Sequence, residues 1–158
     1  MNDEDFARLV KQYEIELYRI AYVVVRNDAD AQDAVCDAIV KAYEKKGRLR
    51  DCTKFKSWLI KIVINSARNL LRKESHLVYM DDVTEEVEEQ QSVESDNTNE
   101  KELWNLVLQL ENEFRVVVVL YYYENFSTKQ ISQMLRIPEG TVKSRLSRAR
   151  ERLKNLLG

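Results

Sequence analysis

Apolar residues recur along this chain at intervals of three and four, the spacing that lines one side of an α-helix. Phe6, Leu9, Val10, Tyr13, Leu17 and Ile20 form the first such stripe. A second helix is predicted over about Asp28–Lys46, with Ala34, Ala38, Ile39, Ala42 and Tyr43 inward and Gly47 as its stop. Its opposite side carries Asp30, Asp33, Asp37, Lys41 and Glu44. A third helix is predicted over about Phe55–Lys73, where Leu59, Ile62, Val63, Leu70 and Leu71 cover much of the surface. On its other side Lys61, Asn65, Arg68 and Arg72 recur at steps of four, three and four, with Asn69 alongside. Asparagine is mildly unfavourable inside a helix, so two of them on one cationic stripe point to use, with nucleic acid as the fitting partner.

In the second half, Leu103, Leu106, Val107 and Leu110 mark a further helix. Phe114–Tyr123 is strongly apolar, and Val116–Val119 suit a strand by β-branching. No partner strand lies nearby in the sequence, so a buried helix is predicted. Ser127-Thr128-Lys129-Gln130 has the form of a capping box ahead of Ile131, Met134 and Leu135. Pro138 suits the first position of the next helix, where its missing N–H is no loss. The turn between these helices is short, at about Arg136–Ile137, which makes a helix-turn-helix. In the last helix Val142, Leu146, Ala149 and Leu153 share one face. At about 100° per residue, Thr141, Ser144, Ser147 and Arg148 point away from that face, flanked by Lys143, Arg145, Arg150 and Arg152. Small hydroxyls and a guanidinium can reach base edges in a major groove, and the flanking cations sit where phosphates run.

Composition narrows the architecture. The 158 residues include only three Gly and one Pro, too few for a turn-rich β fold, and an all-α protein is expected. Residues 76–100 contain no Lys or Arg and nine Asp or Glu, with few large apolar side chains. Such a tract buries too little to offset its ordering entropy. The expected organisation is therefore a helical domain at 1–75, an acidic linker at 76–98 and a second helical domain at 99–158. The net charge of −2 hides a strong segregation. Residues 47–75 hold eight Lys or Arg against two Asp or Glu, and residues 129–158 hold the same numbers. Two separated basic segments suit two contacts on one polyanion.

Several function classes lose support. Cys36 and Cys52 stand sixteen residues apart, and there is one His, so no metal or cofactor site is legible and both thiols are expected to be reduced. Neither a phosphate-cradling Gly loop nor a nucleophile–base arrangement is visible, so no enzyme and no small-molecule substrate is expected. The longest apolar run, Val116–Tyr123, is eight residues, far below the roughly 20 that span a bilayer. The acidic opening Met-Asn-Asp-Glu-Asp is unlike a secretory signal, and a cytoplasmic protein is expected. The stripe Asp30, Asp33 and Asp37 reads as well as a wet helix face as it does as a protein-docking surface. The basic loop Gly47–Lys54 can wrap an unstacked single strand; Trp58, near its end, fits a core position better than a stacking platform.

At this point the residues resemble a known family. Asp30-Ala31-Gln32-Asp33-Ala34-Val35 followed by Ala38–Tyr43 is similar to region 2.2 of bacterial sigma factors. Phe55–Lys73, with Ser57-Trp58-Leu59, resembles regions 2.3 and 2.4. Ile131–Leu153, centred on Ile137-Pro138-Glu139-Gly140-Thr141-Val142-Lys143-Ser144-Arg145-Leu146, resembles region 4.2. With no other sigma region between them, the pattern is that of the extracytoplasmic-function (ECF) subgroup of the sigma-70 family. The resemblance implies a transcription initiation factor that binds core RNA polymerase and recognises the −10 and −35 elements of promoter DNA. It implies a core-polymerase contact at Asp30, Asp33 and Asp37. It places Lys61, Asn65, Arg68, Asn69 and Arg72 at the −10 element, with the Gly47–Lys54 loop holding a flipped base. Thr141, Lys143, Ser144, Ser147, Arg148 and Arg152 would meet the −35 element. An anti-sigma factor, often membrane-anchored in this family, is implied as the regulator. The chain departs from the usual pattern at Glu111 in place of Pro, at Arg136 in place of Gly, and at Tyr121, where some relatives carry an arginine. The competing reading is a stand-alone helix-turn-helix regulator whose first half senses or dimerises.

Overall fold

A computed structural model describes residues 1–77 and 98–158. All regular structure among them is helical. The chain divides into two compact units, Met1–Asp81 and Asp82–Gly158.

The first unit is a three-helix bundle of α1 (Asp3–Val25), α2 (Asp28–Lys45) and α3 (Phe55–Leu77). The side chain of Asn2 caps α1 by accepting from the Asp5 N–H at 2.8 Å. At its far end every residue from Ile20 to Val25 is buried, so this part of α1 is enclosed on all sides. The fully buried residues of α2 are all alanine, Ala31, Ala34, Ala38 and Ala42, with Val35 and Ile39 half-buried beside them. With no large side chain on the alanine stripe, α2 can lie close to its neighbours. α3 supplies the bulk, with Phe55, Leu59, Ile60, Val63, Ile64 and Ala67 in the core. Phe55 packs edge-on to Phe6 at 5.9 Å and lies 6.3 Å from Tyr13. Tyr43, expected inward, is 46% exposed. It sits in the last turn of α2, edge-on to Phe6, with the Lys46 ammonium over its other face at 5.0 Å.

Between α2 and α3 the basic loop is built from two short 3₁₀ turns, Lys46–Arg48 and Cys52–Lys54. Asp51 holds the second by accepting from both the N–H and the hydroxyl of Thr53, at 3.0 and 2.6 Å. α3 continues past Lys73 to Leu77, so His76 and Leu77 of the expected linker are helical. The rest of that tract, residues 78–97, lies outside the described residues.

The second unit contains α4 (Thr98–Gln109), α5 (Asn112–Val118), α6 (Thr128–Leu135) and α7 (Glu139–Leu157). Phe114 to Leu120 are all buried, which is the enclosed helix expected from the valine run. Its last residues, Val119–Tyr123, open into a π-helical turn, a form common at functional sites. The buried Arg115 guanidinium donates to the Leu110 carbonyl at 2.9 Å, tying α5 to the end of α4. The predicted capping box is complete: the Gln130 N–H donates to Ser127 Oγ at 3.1 Å and the Ser127 N–H to Gln130 Oε1 at 2.9 Å. α6 ends on Arg136 in the left-handed region, φ 56°. Pro138 precedes α7 by one residue instead of opening it, with extended ψ of 147°. Its carbonyl accepts from the Thr141 and Val142 N–H groups at 3.0 and 3.2 Å, so proline caps α7 through its backbone.

Candidate nucleic-acid interfaces

The first candidate face lies on α3, opposite its core residues. Asn65, Asn69 and Arg72 are exposed there, while Lys61 and Arg68 are half-buried. Both asparagines thus present amide groups to solvent from between cations, as the stripe predicted. Trp58 is half-buried, its ring 5.9 Å from Phe55, a position at the edge of the core. Arg48, Arg50 and Lys54 of the neighbouring turns are exposed.

The acidic stripe of α2 separates into two parts. Asp30 belongs to the helix cap, where its carboxylate accepts from the Asn27 amide at 2.8 Å and its N–H donates to Asn27 Oδ1 at 2.8 Å. Asp33 and Asp37 are exposed and line a cleft of about 440 Å³ between α2 and α3. Across it stand Ser66, Asn69, Leu70, Arg72 and Lys73. Lys41 pairs with Asp37 at 2.8 Å. Its hydrogen bond, followed by the positive charges of Lys41 and Lys73, holds the Asp37 carboxyl below the usual aspartate range against the opposing effect of burial. The structure therefore brings Asp33 and Asp37 of α2 and Asn69 and Arg72 of α3 to one cleft, which no spacing in the sequence announces, and leaves Asp30, Lys61, Asn65 and Arg68 outside its lining.

The second candidate face is on α7. Val142, Leu146 and Ala149 are buried, and Leu153 is half-buried. Lys143, Ser144, Ser147 and Arg148 are exposed on the far side, with Thr141 half-buried. Ser144 Oγ donates to the Thr141 carbonyl at 3.0 Å and keeps its lone pairs for a further partner. Arg148 makes no ion pair among the described residues. Arg152 is exposed and has partners within its own unit. Its guanidinium pairs with Glu111 at 3.0 Å and lies over the Phe114 ring at 5.2 Å. Arg145 approaches Glu113 at 3.9 Å, and Arg150 donates to the Tyr122 hydroxyl. Glu139, unremarked in the periodicity, joins the two helices of the motif by accepting from the Thr128 hydroxyl at 2.8 Å; it also lies 3.8 Å from Lys143. Only the Glu139–Lys143 contact has a sequence signal, the four-residue helical step.

Among the described residues no group of His, Cys, Asp and Glu could hold a metal ion, and Cys36 and Cys52 are both free and exposed. No described helix is long and apolar enough to cross a membrane.

The bundle's cationic, amide-bearing helix and the helix-turn-helix are two faces whose chemistry suits nucleic acid. Comparison with known proteins gives the family. The chain matches the Sigma-70 region 2 family over residues 9–77 and the Sigma-70, region 4 family over residues 100–153. It is 34% identical to the ECF RNA polymerase sigma factor SigM of Mycobacterium tuberculosis over 97% of this chain and 77% of that one. It is 31% identical to the ECF RNA polymerase sigma factor SigW of Bacillus subtilis over 98% of this chain and 90% of the relative. Among solved structures, the sigma factor RpoE in complex with the anti-sigma factor NepR from Bartonella quintana superposes with a TM-score of 0.74 at 27% identity, covering 98% of this chain and 97% of that one. The chain belongs to the ECF sigma factors of the sigma-70 family: promoter-directing subunits of RNA polymerase, and not enzymes. The stand-alone regulator is not favoured, because it leaves the region 2 match over residues 9–77 without a role.

Proposed function

We propose a division of labour within this sigma factor. Residues 1–75 dock on core RNA polymerase and engage the −10 element, residues 99–158 read the −35 element, and residues 76–98 join them. The observation that carries the first assignment is the α2–α3 cleft, where Asp33 and Asp37 stand beside Asn69 and Arg72. Carboxylates at its edge suit a cationic surface of the polymerase. Asn65 and Asn69 can both donate to and accept from unpaired base edges, while Lys61, Arg68 and Arg72 suit the strand's phosphates. In the second unit Lys143, Ser144, Ser147 and Arg148 face the major groove, with Thr141 at its edge.

The protein works in the cytoplasm, where core polymerase and promoter DNA are found. An anti-sigma factor holds it inactive, a reading supported by the solved relative bound to NepR. Reconstituted transcription tests the docking assignment. The double substitution Asp33→Lys/Asp37→Lys should abolish transcript from a cognate promoter and weaken co-purification with core enzyme. It should leave −35 duplex binding by the free chain unchanged. Normal co-purification by that variant would contradict the assignment.

A further inference from the structure

The recognition helix carries more positive charge than it offers to solvent. With about 100° per residue, Arg152 lies about 40° and Arg145 about 60° round α7 from Arg148, on the side that turns towards α5. Both meet carboxylates there, Arg152 at Glu111 and Arg145 at Glu113. Glu111 occupies the N-cap position of α5, yet its side chain makes no capping hydrogen bond. An N-cap side chain ordinarily accepts from the first-turn N–H groups of its own helix; this one is directed to another helix. The Arg152 guanidinium is held on a second side by the face of Phe114, a contact that ring electrostatics favour.

We infer that Glu111 and Glu113 set the strength of sequence-independent DNA binding by α7, holding Arg152 and Arg145 in intramolecular ion pairs and placing two carboxylates beside the phosphate path. The inference rests on the reading of α7 as the DNA-facing helix. Phosphate contacts add affinity for every sequence alike, whereas base contacts discriminate. Occupying two flanking arginines therefore lowers binding to all duplexes while leaving Ser144, Ser147 and Arg148 to read bases. The discriminating share of the binding rises as the total falls. The Arg152 pair is exposed, Arg145 is half-buried beside an exposed Glu113, and pairs open to solvent are individually weak, so they attenuate binding without blocking it. Such tuning suits a subunit that depends on its polymerase to reach promoters. Helix-dipole compensation at the start of α5 is the ordinary role for acids there, and it predicts a stability effect with no change in DNA binding.

The test measures full-chain binding to a random-sequence duplex by fluorescence anisotropy, from about 50 to 200 mM salt. Glu111→Gln/Glu113→Gln should bind roughly three- to ten-fold tighter at the low end, and its log–log salt slope should steepen by about one to two, near 0.9 per added phosphate contact. Adding Arg145→Ala/Arg152→Ala should return the slope to the wild-type value. A second arm does not need the glutamate variants to fold: Arg145→Ala/Arg152→Ala in the otherwise unchanged chain should change the slope by well under about one, because those arginines are largely occupied. A slope that falls by one to two in that arm, or that stays unchanged in the glutamine variant, would overturn the inference while the reading of α7 stands. No salt-dependent binding by the wild-type chain would overturn that reading and the inference with it.

Discussion

Arg148 is the side chain to which the proposed reading of the −35 element assigns most discrimination. It stands exposed at the centre of the outer face of α7, with the hydroxyls of Ser144 and Ser147 beside it. A guanidinium so placed can make two parallel bonds to one guanine edge. Arg148→Ala should cost on the order of 1–3 kcal/mol of discrimination between cognate and altered −35 duplexes. The check is a binding panel of single-base variants; a uniform loss across the panel would assign Arg148 to the phosphates instead. Arg136 shows a residue working against its own preference. It holds φ at 56°, where most side chains cost roughly 1–2 kcal/mol relative to the right-handed region. The turn is held by the Ser132 hydroxyl, which donates to the Ile137 carbonyl at 2.7 Å, and by the Ile137 N–H on the Ser132 carbonyl at 3.2 Å. The departure from the usual glycine therefore leaves the helix-turn-helix geometry in place.

At the scale of elements, α3 has a core face and a working face. Asn65 contributes nothing to the core, so its proposed role is at the −10 strand once that strand is unstacked. Asn65→Ala should impair open-complex formation more than closed-complex binding, and a pre-melted promoter should partly restore activity. Equal defects on duplex and pre-melted templates would remove Asn65 from the −10 contact. Most of this architecture was legible because its signals are local. The alanine stripe of α2, the Ser127–Gln130 capping box and the α6–α7 turn are each written within a few residues, over which helical geometry is rigid. Contacts that depend on tertiary placement left no such trace. Glu111 and Arg152 meet across two helices and forty-one positions of sequence. Asp37 and Lys73 share a cleft only because α2 lies close against α3. Pro138 satisfied the sequence rule for a first helical residue equally well one position earlier, and the choice was made by its carbonyl capping α7. The π-helical turn at Val119–Tyr123 and the outward Tyr43 likewise follow from packing that periodicity does not encode.

At the scale of the whole molecule, the central claim is dependence on the polymerase. Each of the basic segments 47–75 and 129–158 holds only eight Lys or Arg, and melting a −10 element requires unstacking energy of a few kcal/mol per flipped base. Two faces on one chain reinforce each other only when their separation matches the target. Docking through Asp33 and Asp37 onto core enzyme would fix that separation and add the enzyme's own DNA contacts. The ion pairs of Arg145 and Arg152 act in the same direction by restraining the free subunit. A footprint of the cognate promoter with this chain alone and with the chain plus core polymerase is the most direct measurement. Weak, diffuse protection by the chain alone and full protection of both the −10 and −35 elements with core enzyme is the predicted result; full protection of both by the chain alone would contradict it.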